Sequence, residues 1–422
     1  MRFHKLLDGW TAHHNLFILQ CHSHGEWQII KGTRTALRGY SMPRSTDHFL
    51  TTHVGSLPRE KDLMHMMWAR EDGVPVDQEA FHSRIHQAVI DIVKKQKELG
   101  IDLVNDGEQS KPSYATYIKD RLNGFGGSEN TYIFADLVDF PNLAKRVGED
   151  PARQHRHAPG CKGPISVATT ADVDEDVANM QEATGGNMEY AFFSSASPGV
   201  TSIFFKNEYY KTHEEYVFAI AEAMKTEYEI IAASGATLQI DCPDLAMGRH
   251  MNSEGVSLDD FRKVAALHVE ALNHAVQNIP AEQLRMHLCW GNYGGPHHCD
   301  MNFRDIIDIV MKAKPQTLLF EAANPRHAHE WALFEDYKLP EGKVLCPGVI
   351  EVQSNYVEHP ELIAQRIKRY ADLVGPESVM AGTDCGFSIH VGQASIDPGV
   401  AWMKLKNLAE GAAIASDWFF GK

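Results

Sequence analysis

From Thr51 onward the chain alternates short apolar runs with long stretches of helical period, and this alternation restricts the fold more than any other feature. Eight runs read as strands: "FLTTHVGS", "IDLVNDGE", "GPISVATT", "TLQIDCP", "RMHLCWGN", "TLLFEAA", "KVLCPGVIEV" and "SVMAGTDCGF". The stretches between them carry helix punctuation. "DQEAFHSRIHQAVIDIVKKQKELG" opens near an acidic cap and closes on Gly100. "HEEYVFAIAEAMKTEYEIIAASG" closes on Gly235 and sets Val217, Ala221, Met224, Tyr228 and Ile231 towards one side. "SLDDFRKVAALHVEALNHAVQNI" starts on Ser257 with an acidic first turn, and "HPELIAQRIKRYADLVG" and "PGVAWMKLKNLAEGAAIAS" complete the series. Strand, helix, strand repeated eight times predicts the α/β class and a closed (β/α)8 barrel, with chemistry at the C-terminal ends of its strands. An open doubly wound sheet is the alternative, but no glycine-rich dinucleotide loop, phosphate loop or GxSxG elbow supports it. Residues 123–161 and 171–212 read as insertions on the barrel. The first 41 residues, rich in His and aromatics and without a clear period, read as a leader, with Met42 a second candidate start. The boundaries drawn are a poorly ordered N-terminal extension over 1–44 and a barrel over 45–422.

Composition removes several classes of partner. With 422 residues, 43% of them hydrophobic, the chain can bury a large core. A formal charge of −16 argues against nucleic acid, because phosphate contact needs concentrated Lys and Arg. "NLFILQC" is far shorter than the roughly 20 apolar residues of a membrane span. The seven cysteines, Cys21, Cys161, Cys242, Cys289, Cys299, Cys346 and Cys385, are odd in number and scattered, which suits a reducing cytoplasm better than a disulfide framework. The sequence leaves the oligomeric state open, a homo-oligomer included.

Polar and metal-capable residues stand where the apolar runs stop: Ser56, Asp106, Glu108, Asp241, His287, Cys289, Glu321, Glu351, Asp384 and Cys385. One Cys, one Cys and one His are a known catalytic zinc set, so His287, Cys289 and Cys385 are candidate ligands, with Glu321 a fourth that substrate could displace. The competing reading makes each Cys a small buried hydrophobe and the His a side chain satisfied by a carbonyl. No CxxC pair is present, and Cys299 in "GGPHHCD" reads as part of a loop.

"TTHVGSLPR", "NDGE", "LQIDCPDL", "HLC", "LLFEAA", "PGV" and "GTDCG", in this order, resemble the catalytic barrel of the cobalamin-independent methionine synthase family, over roughly Ser45 to Lys422. The chain is similar to single-barrel members of the methionine synthase and uroporphyrinogen decarboxylase-like type, epoxyalkane:coenzyme M transferase included. The resemblance implies zinc (Zn2+) bound by His287, Cys289, Glu321 and Cys385. It also implies a thiol amino acid held by Val54, Ser56, Glu108 and Asp241. The implied reaction is alkyl transfer, methyl in the first instance, to a thiol such as homocysteine. Epoxide opening by a thiol such as coenzyme M, and a non-catalytic thiol- or metal-binding barrel, are the alternatives. A zinc hydrolase would favour His and carboxylate ligands over two cysteines.

Two positions depart from the family pattern. Gln353 stands where the family carries a histidine, the proton donor, and a glutamine supplies no proton. Glu351, two residues earlier on the same strand face, is the substitute acid or else an ordinary ion-pair partner. Cys242 replaces a glutamate. In the loop after Glu108, Lys111, Tyr114, Tyr117, Lys119 and Arg121 could surround an anion or protonate an alkoxide, and Arg249 and His250 add to this set, although most such residues are simply solvated. Lys111 and Arg249 are thus candidate substrate contacts and Tyr117 a candidate catalytic group. The changes at Gln353 and Cys242 speak against folate-dependent methyl transfer, and the alkyl donor, methylfolate, methylcobalamin or an epoxide, is left undecided by the sequence.

Overall fold

A computed structural model describes residues 17–21, 27–31, 42–129, 133–251, 256–393 and 395–421. The chain forms two compact units, Met1–Tyr40 and Ser41–Lys422. In the first, Phe17–Cys21 pairs antiparallel with Trp27–Lys31. The rest of residues 1–41 lies outside the described residues, so the leader over 1–44 is described only at this hairpin and from Met42. Among the described residues no helix is long and apolar enough to cross a membrane.

In the second unit seven strands form one parallel sheet. From one edge to the other it runs Val104–Asn105, Ala191–Ala196, Thr237–Asp241, Leu284–Leu288, Thr317–Phe320, Val344–Ile350, Gly382–Thr383. Residues 50–52 join its two edges. The Thr52 N–H donates to Ala381 O (2.9 Å), the Ala381 N–H to Leu50 O (2.9 Å), and the Leu103 N–H to Thr51 O (3.0 Å). With this eighth stave the sheet closes into the expected barrel.

Seven of the eight predicted strands fall in the ring, and the third is a correction. "GPISVATT" lies in Pro159–Val167, which pairs antiparallel with Leu122–Glu129 outside the barrel. Its place is taken by Ala191–Ala196, "AFFSSA", inside the stretch 171–212 that the sequence suggested as an insertion. All six residues are buried there, whereas Pro159–Val167 alternates between exposed and covered. Two serines disguise the true strand, but their hydroxyls are satisfied inside the protein: Ser194 Oγ donates to Glu108 Oε1 (2.7 Å) and Ser195 Oγ to Glu227 Oε1 (2.5 Å).

The helices are capped as their sequences suggest. Asp77 accepts from the Ala80 N–H ahead of Gln78–Glu98, Thr212 from Glu215 ahead of His213–Ala233, and Ser257 from Asp260 ahead of Leu258–Ala275. Val217, Ala221, Met224, Tyr228 and Ile231 form one buried stripe facing the sheet's outer surface.

Arg285 is wholly buried inside the barrel. Nε donates to Gln239 Oε1, Nη1 to Thr52 Oγ1 and Nη2 to His53 O, each at 2.9 Å, and the guanidinium lies 3.5 Å from the Phe192 ring centre. One side chain thus ties the closing stave to three other strands. Replacing it strands three acceptors and leaves a cavity, so Arg285→Ala should lose about 3 kcal/mol or more. Urea unfolding measures this as a lower midpoint at unchanged slope, and a loss below about 1 kcal/mol would contradict the role.

Candidate functional site

His287 points into the barrel near the end of Leu284–Leu288, and Cys289, two residues on, takes the same face. Cys385 follows Gly382–Thr383, where Thr383 Oγ1 donates to Cys385 O (2.8 Å). The ligand atoms of His287, Cys289 and Cys385 all lie within 4.8 Å of one another. Cys385 Sγ is 3.8 Å from His287 Nε2 and 4.0 Å from Glu321 Oε1. Tetrahedral bonds of the lengths usual for Zn–S, Zn–N and Zn–O would set such atoms roughly 3.6 Å apart, so the donors fit a metal ion with small adjustments.

The surroundings fix this arrangement. Asp384 Oδ1 accepts from the Ala322 and Ala323 N–H groups (2.8 and 2.9 Å) and Oδ2 from Asn324 (2.6 Å), which ties the turn carrying Cys385 to the one carrying Glu321. A Cβ on Gly348 would come 2.3 Å from Asp384 Oδ1, so this neighbouring position requires glycine. Glu321 accepts from the Trp290 N–H (2.8 Å) through Oε1 and from Asn324 Nδ2 (2.9 Å) through Oε2, a carboxylate with partners of its own. His287 Nδ1 is 3.5 Å from Asp241 Oδ1, the carboxylate–histidine pairing common behind metal ligands. Burial opposes a charge on His287, but Asp241 and Cys289 outweigh it and raise its pKa to about 9. Burial and the adjoining Cys289 push the Cys385 thiol well up. A bound cation reverses both, because the ligand forms are neutral imidazole and thiolate.

These sulfur and nitrogen atoms form one wall of a pocket of about 340 Å³. Val54, Ser56, Glu108 and Asp241 line it as well. Ser56 Oγ and Glu108 Oε2 are buried there without a hydrogen-bond partner. Glu108 has φ +55°, a left-handed backbone that is costly for a side-chain-bearing residue and is concentrated at functional sites. Its carboxyl pKa is raised to about 7, by burial first and by Asp241, against the opposing pull of Lys111, Ser194 and Arg59.

Other candidates lie elsewhere. Lys111 Nζ donates to Ser194 O (2.5 Å) and sits 4.6 Å from the Tyr117 ring centre, lining a different pocket. The Tyr117 hydroxyl donates to Glu227 Oε1 (2.6 Å), and Glu227 in turn pairs with Arg121 (2.9 Å), so burial and the Glu227 charge hold that phenol firmly protonated. Tyr117 thus braces Ala191–Ala196 and does not line the thiol pocket. Glu351 lies apart from that lining as well. It folds onto its own turn, accepting from the Gln353 N–H, the Ser354 N–H (3.0 Å) and Ser354 Oγ (2.6 Å), and does not line the thiol pocket. Arg249 likewise stays outside the lining, and Gln353 Nε2 reaches Gly291 O at 3.4 Å. Sequence reasoning missed Asn292 and Ile389, which line the pocket from loops past Cys289 and Cys385. Nothing but their closeness to those cysteines marked them.

Residues 49–138 and 202–403 match the family described as the cobalamin-independent synthase, catalytic domain. The chain belongs to this family. It is an enzyme of the methyltransferase class on a family barrel. The methionine synthase of Thermococcus kodakarensis is 24% identical over 365 residues, covering 86% of this chain and 92% of that protein. That of Saccharolobus solfataricus is 25% identical over 373 residues, 87% of this chain and 95% of that one. In structure, a B12-independent methionine synthase from Shewanella sp. W3-18-1 in complex with selenomethionine gives a TM-score of 0.69 at 19% identity, covering 89% of this chain and all of that one. A Listeria monocytogenes counterpart gives 0.60 at 18%, covering 87% and 98%. Both share the barrel fold.

Dialysed against a divalent metal, the protein should retain about one ion per chain, and Cys289→Ser, Cys385→Ser or His287→Ala should remove it. Asp241→Asn should weaken retention about 10–100-fold by freeing the His287 ring, while Tyr117→Phe leaves it unchanged. Elemental analysis reads the outcome. Full metal in Cys289→Ser would sink the ligand assignment.

Proposed function

We propose that the chain transfers a methyl group to the thiol of homocysteine, with zinc held by His287, Cys289 and Cys385 and Glu321 as the exchangeable fourth ligand. One observation carries the choice of thiol: the wall of sulfur and imidazole faces two carboxylates, Glu108 and Asp241, and neither Lys111 nor Arg249 lines the pocket. When bound, zinc supplies a Lewis acid that keeps a thiol as its nucleophilic thiolate at neutral pH.

The residues of the chain position the amino acid. Glu108 and Asp241 accept the ammonium, and the unpartnered Ser56 hydroxyl donates to the α-carboxylate. Val54 O accepts from Gln239 Nε2, and Gln239 also donates to Asp241 Oδ1 (2.8 Å), which locks the two sides of the amino-acid pocket together. In the transfer a C–S bond forms, the bond from carbon to the leaving group breaks, and its electron pair departs with the leaving group. Gln353 cannot protonate that group.

A sulfonate thiol such as coenzyme M would bring an anion against two carboxylates, so this geometry disfavours the epoxide-opening alternative. Homocysteine should exceed mercaptoethanesulfonate at least tenfold in kcat/KM. Equal turnover would overturn the reading. Glu108 loses its charge as pH falls through about 7, so KM for homocysteine should rise below that pH. Glu108→Gln should raise KM about tenfold at pH 8 and flatten this profile. A KM indifferent to both would remove Glu108 from the ammonium site.

A further inference from the structure

Glu321 follows the strand Thr317–Phe320 and is 2% exposed. Its Oε1 lies 4.0 Å from Cys385 Sγ, yet the compact group of ligand atoms, all within 4.8 Å of one another, consists of His287, Cys289 and Cys385 and leaves the carboxylate out. A tetrahedral ion needs its donors roughly 3.6 Å apart, so Glu321 must move inward to become a fourth ligand. Two donors hold it where it stands. The Trp290 N–H donates to Oε1 (2.8 Å) and Asn324 Nδ2 to Oε2 (2.9 Å), so both carboxylate oxygens are engaged.

Each donor is fixed by contacts of its own. Asn324 is 8% exposed. Its Oδ1 accepts from the Arg326 N–H (3.0 Å), which leaves Nδ2 as the end facing Glu321, and its backbone N–H donates to Asp384 Oδ2 (2.6 Å). Trp290 is wholly buried, its Nε1 donates to Met301 O (2.8 Å), and its ring stacks on His327 with centres 4.0 Å apart. His327 is clamped in turn, Nε2 donating to Asp300 Oδ2 (2.9 Å) and Nδ1 to Glu330 Oε2 (2.8 Å). His297 donates through Nδ1 to the same Asp300 oxygen (2.8 Å) and holds a left-handed φ of +56°. Such a backbone persists only where its surroundings over-determine it. The "GGPHHCD" loop thus braces the residue that follows Cys289.

A buried carboxylate that left a metal with no donor to receive it would be an unpaired charge, and Asp384, bound to the same turn, would repel it. We propose that the Trp290 N–H and the Asn324 amide form a cradle that receives the Glu321 carboxylate when substrate sulfur displaces it from the metal, and that Asn324 is thereby a positioning residue for thiol binding. The proposal rests on the reading of the site as a zinc centre for the homocysteine thiol. One metal–oxygen bond breaks as one metal–sulfur bond forms, the thiol proton leaves to solvent, and the carboxylate keeps its charge. Cradle and incoming thiol act together against the metal–carboxylate bond, so a weaker cradle leaves Glu321 harder to displace.

Calorimetry with homocysteine on the zinc-loaded full chain tests it, with zinc counted in every variant. Asn324→Ala should keep about one zinc per chain and raise the homocysteine Kd about tenfold. Asn324→Asp, close to asparagine in size, keeps an acceptor for the Arg326 N–H but sets a like charge against Glu321, and should raise Kd further. In a Glu321→Ala background, Asn324→Ala should change Kd by less than about twofold, a coupling that a merely structural role for Asn324 would not produce. Zinc K-edge absorption gives a second readout: with homocysteine at a concentration where wild type has lost its oxygen scatterer, Asn324→Ala should retain it. A wild-type Kd in both Asn324 variants, or an equal loss with and without Glu321, would overturn the cradle. The two readings fail separately. Wild-type protein that gains a zinc-bound sulfur, matched by both Asn324 variants, retains thiol activation and removes the cradle. Wild-type protein that gains none removes thiol activation, and the cradle with it.

Discussion

The three backbone hydrogen bonds that place residues 50–52 between Leu103 and Ala381 are the constraint on which the rest of the site depends. Without them the parallel sheet is an open arc and its two ends, Leu103 and Ala381, 278 positions apart in the chain, need not meet. With them, Val54 and Ser56 face Cys385 across the same rim, and the Phe387 N–H donates to Ser56 O (2.9 Å). A Cβ on Gly386 would stand 2.0 Å from Ser56 Oγ, which shows how closely the first and last staves approach. Arg285 strengthens the closure from within by holding Thr52 and His53.

The metal-capable side chains His287, Cys289 and Cys385 are then positioned by neighbouring carboxylates. Asp384 sets the distance between the Cys385 and Glu321 turns through three N–H groups, and Asp241 faces the far nitrogen of His287. Behind the opposite wall, Arg121 pairs with Asp176 (2.6 Å) and Glu227 (2.9 Å), and Tyr117 and Ser195 complete the network. Breaking one member of such a buried set leaves an uncompensated charge, so the network holds the strand that presents Ser194 to Glu108.

Much of this was legible in the sequence because period and punctuation agree. The apolar runs that become Thr237–Asp241 and Leu284–Leu288 are buried at every position, and caps at Asp77, Thr212 and Ser257 stand where residue type alone puts them. The third strand was not legible, since Ser194 and Ser195 interrupt its apolar run and only tertiary partners reveal why they are there. The pocket residues Ser56, Glu108, Asp241, His287, Cys289 and Cys385 were readable as strand-end polar groups. Tyr117 and Glu351 were candidates by residue type alone, and sequence does not show the hydrogen bonds they make, to Glu227 and within the Glu351 turn. Lys111 is the same case, its charge spent on Ser194 O.

The central claim is that two cysteines and a histidine hold zinc so that substrate sulfur becomes its next ligand. Zinc K-edge X-ray absorption on the purified protein, with and without homocysteine, tests it most directly. The account predicts a first shell with two sulfurs that gains a third on adding homocysteine, with loss of an oxygen scatterer. A shell that contains no sulfur, or one that homocysteine leaves unchanged, would contradict it.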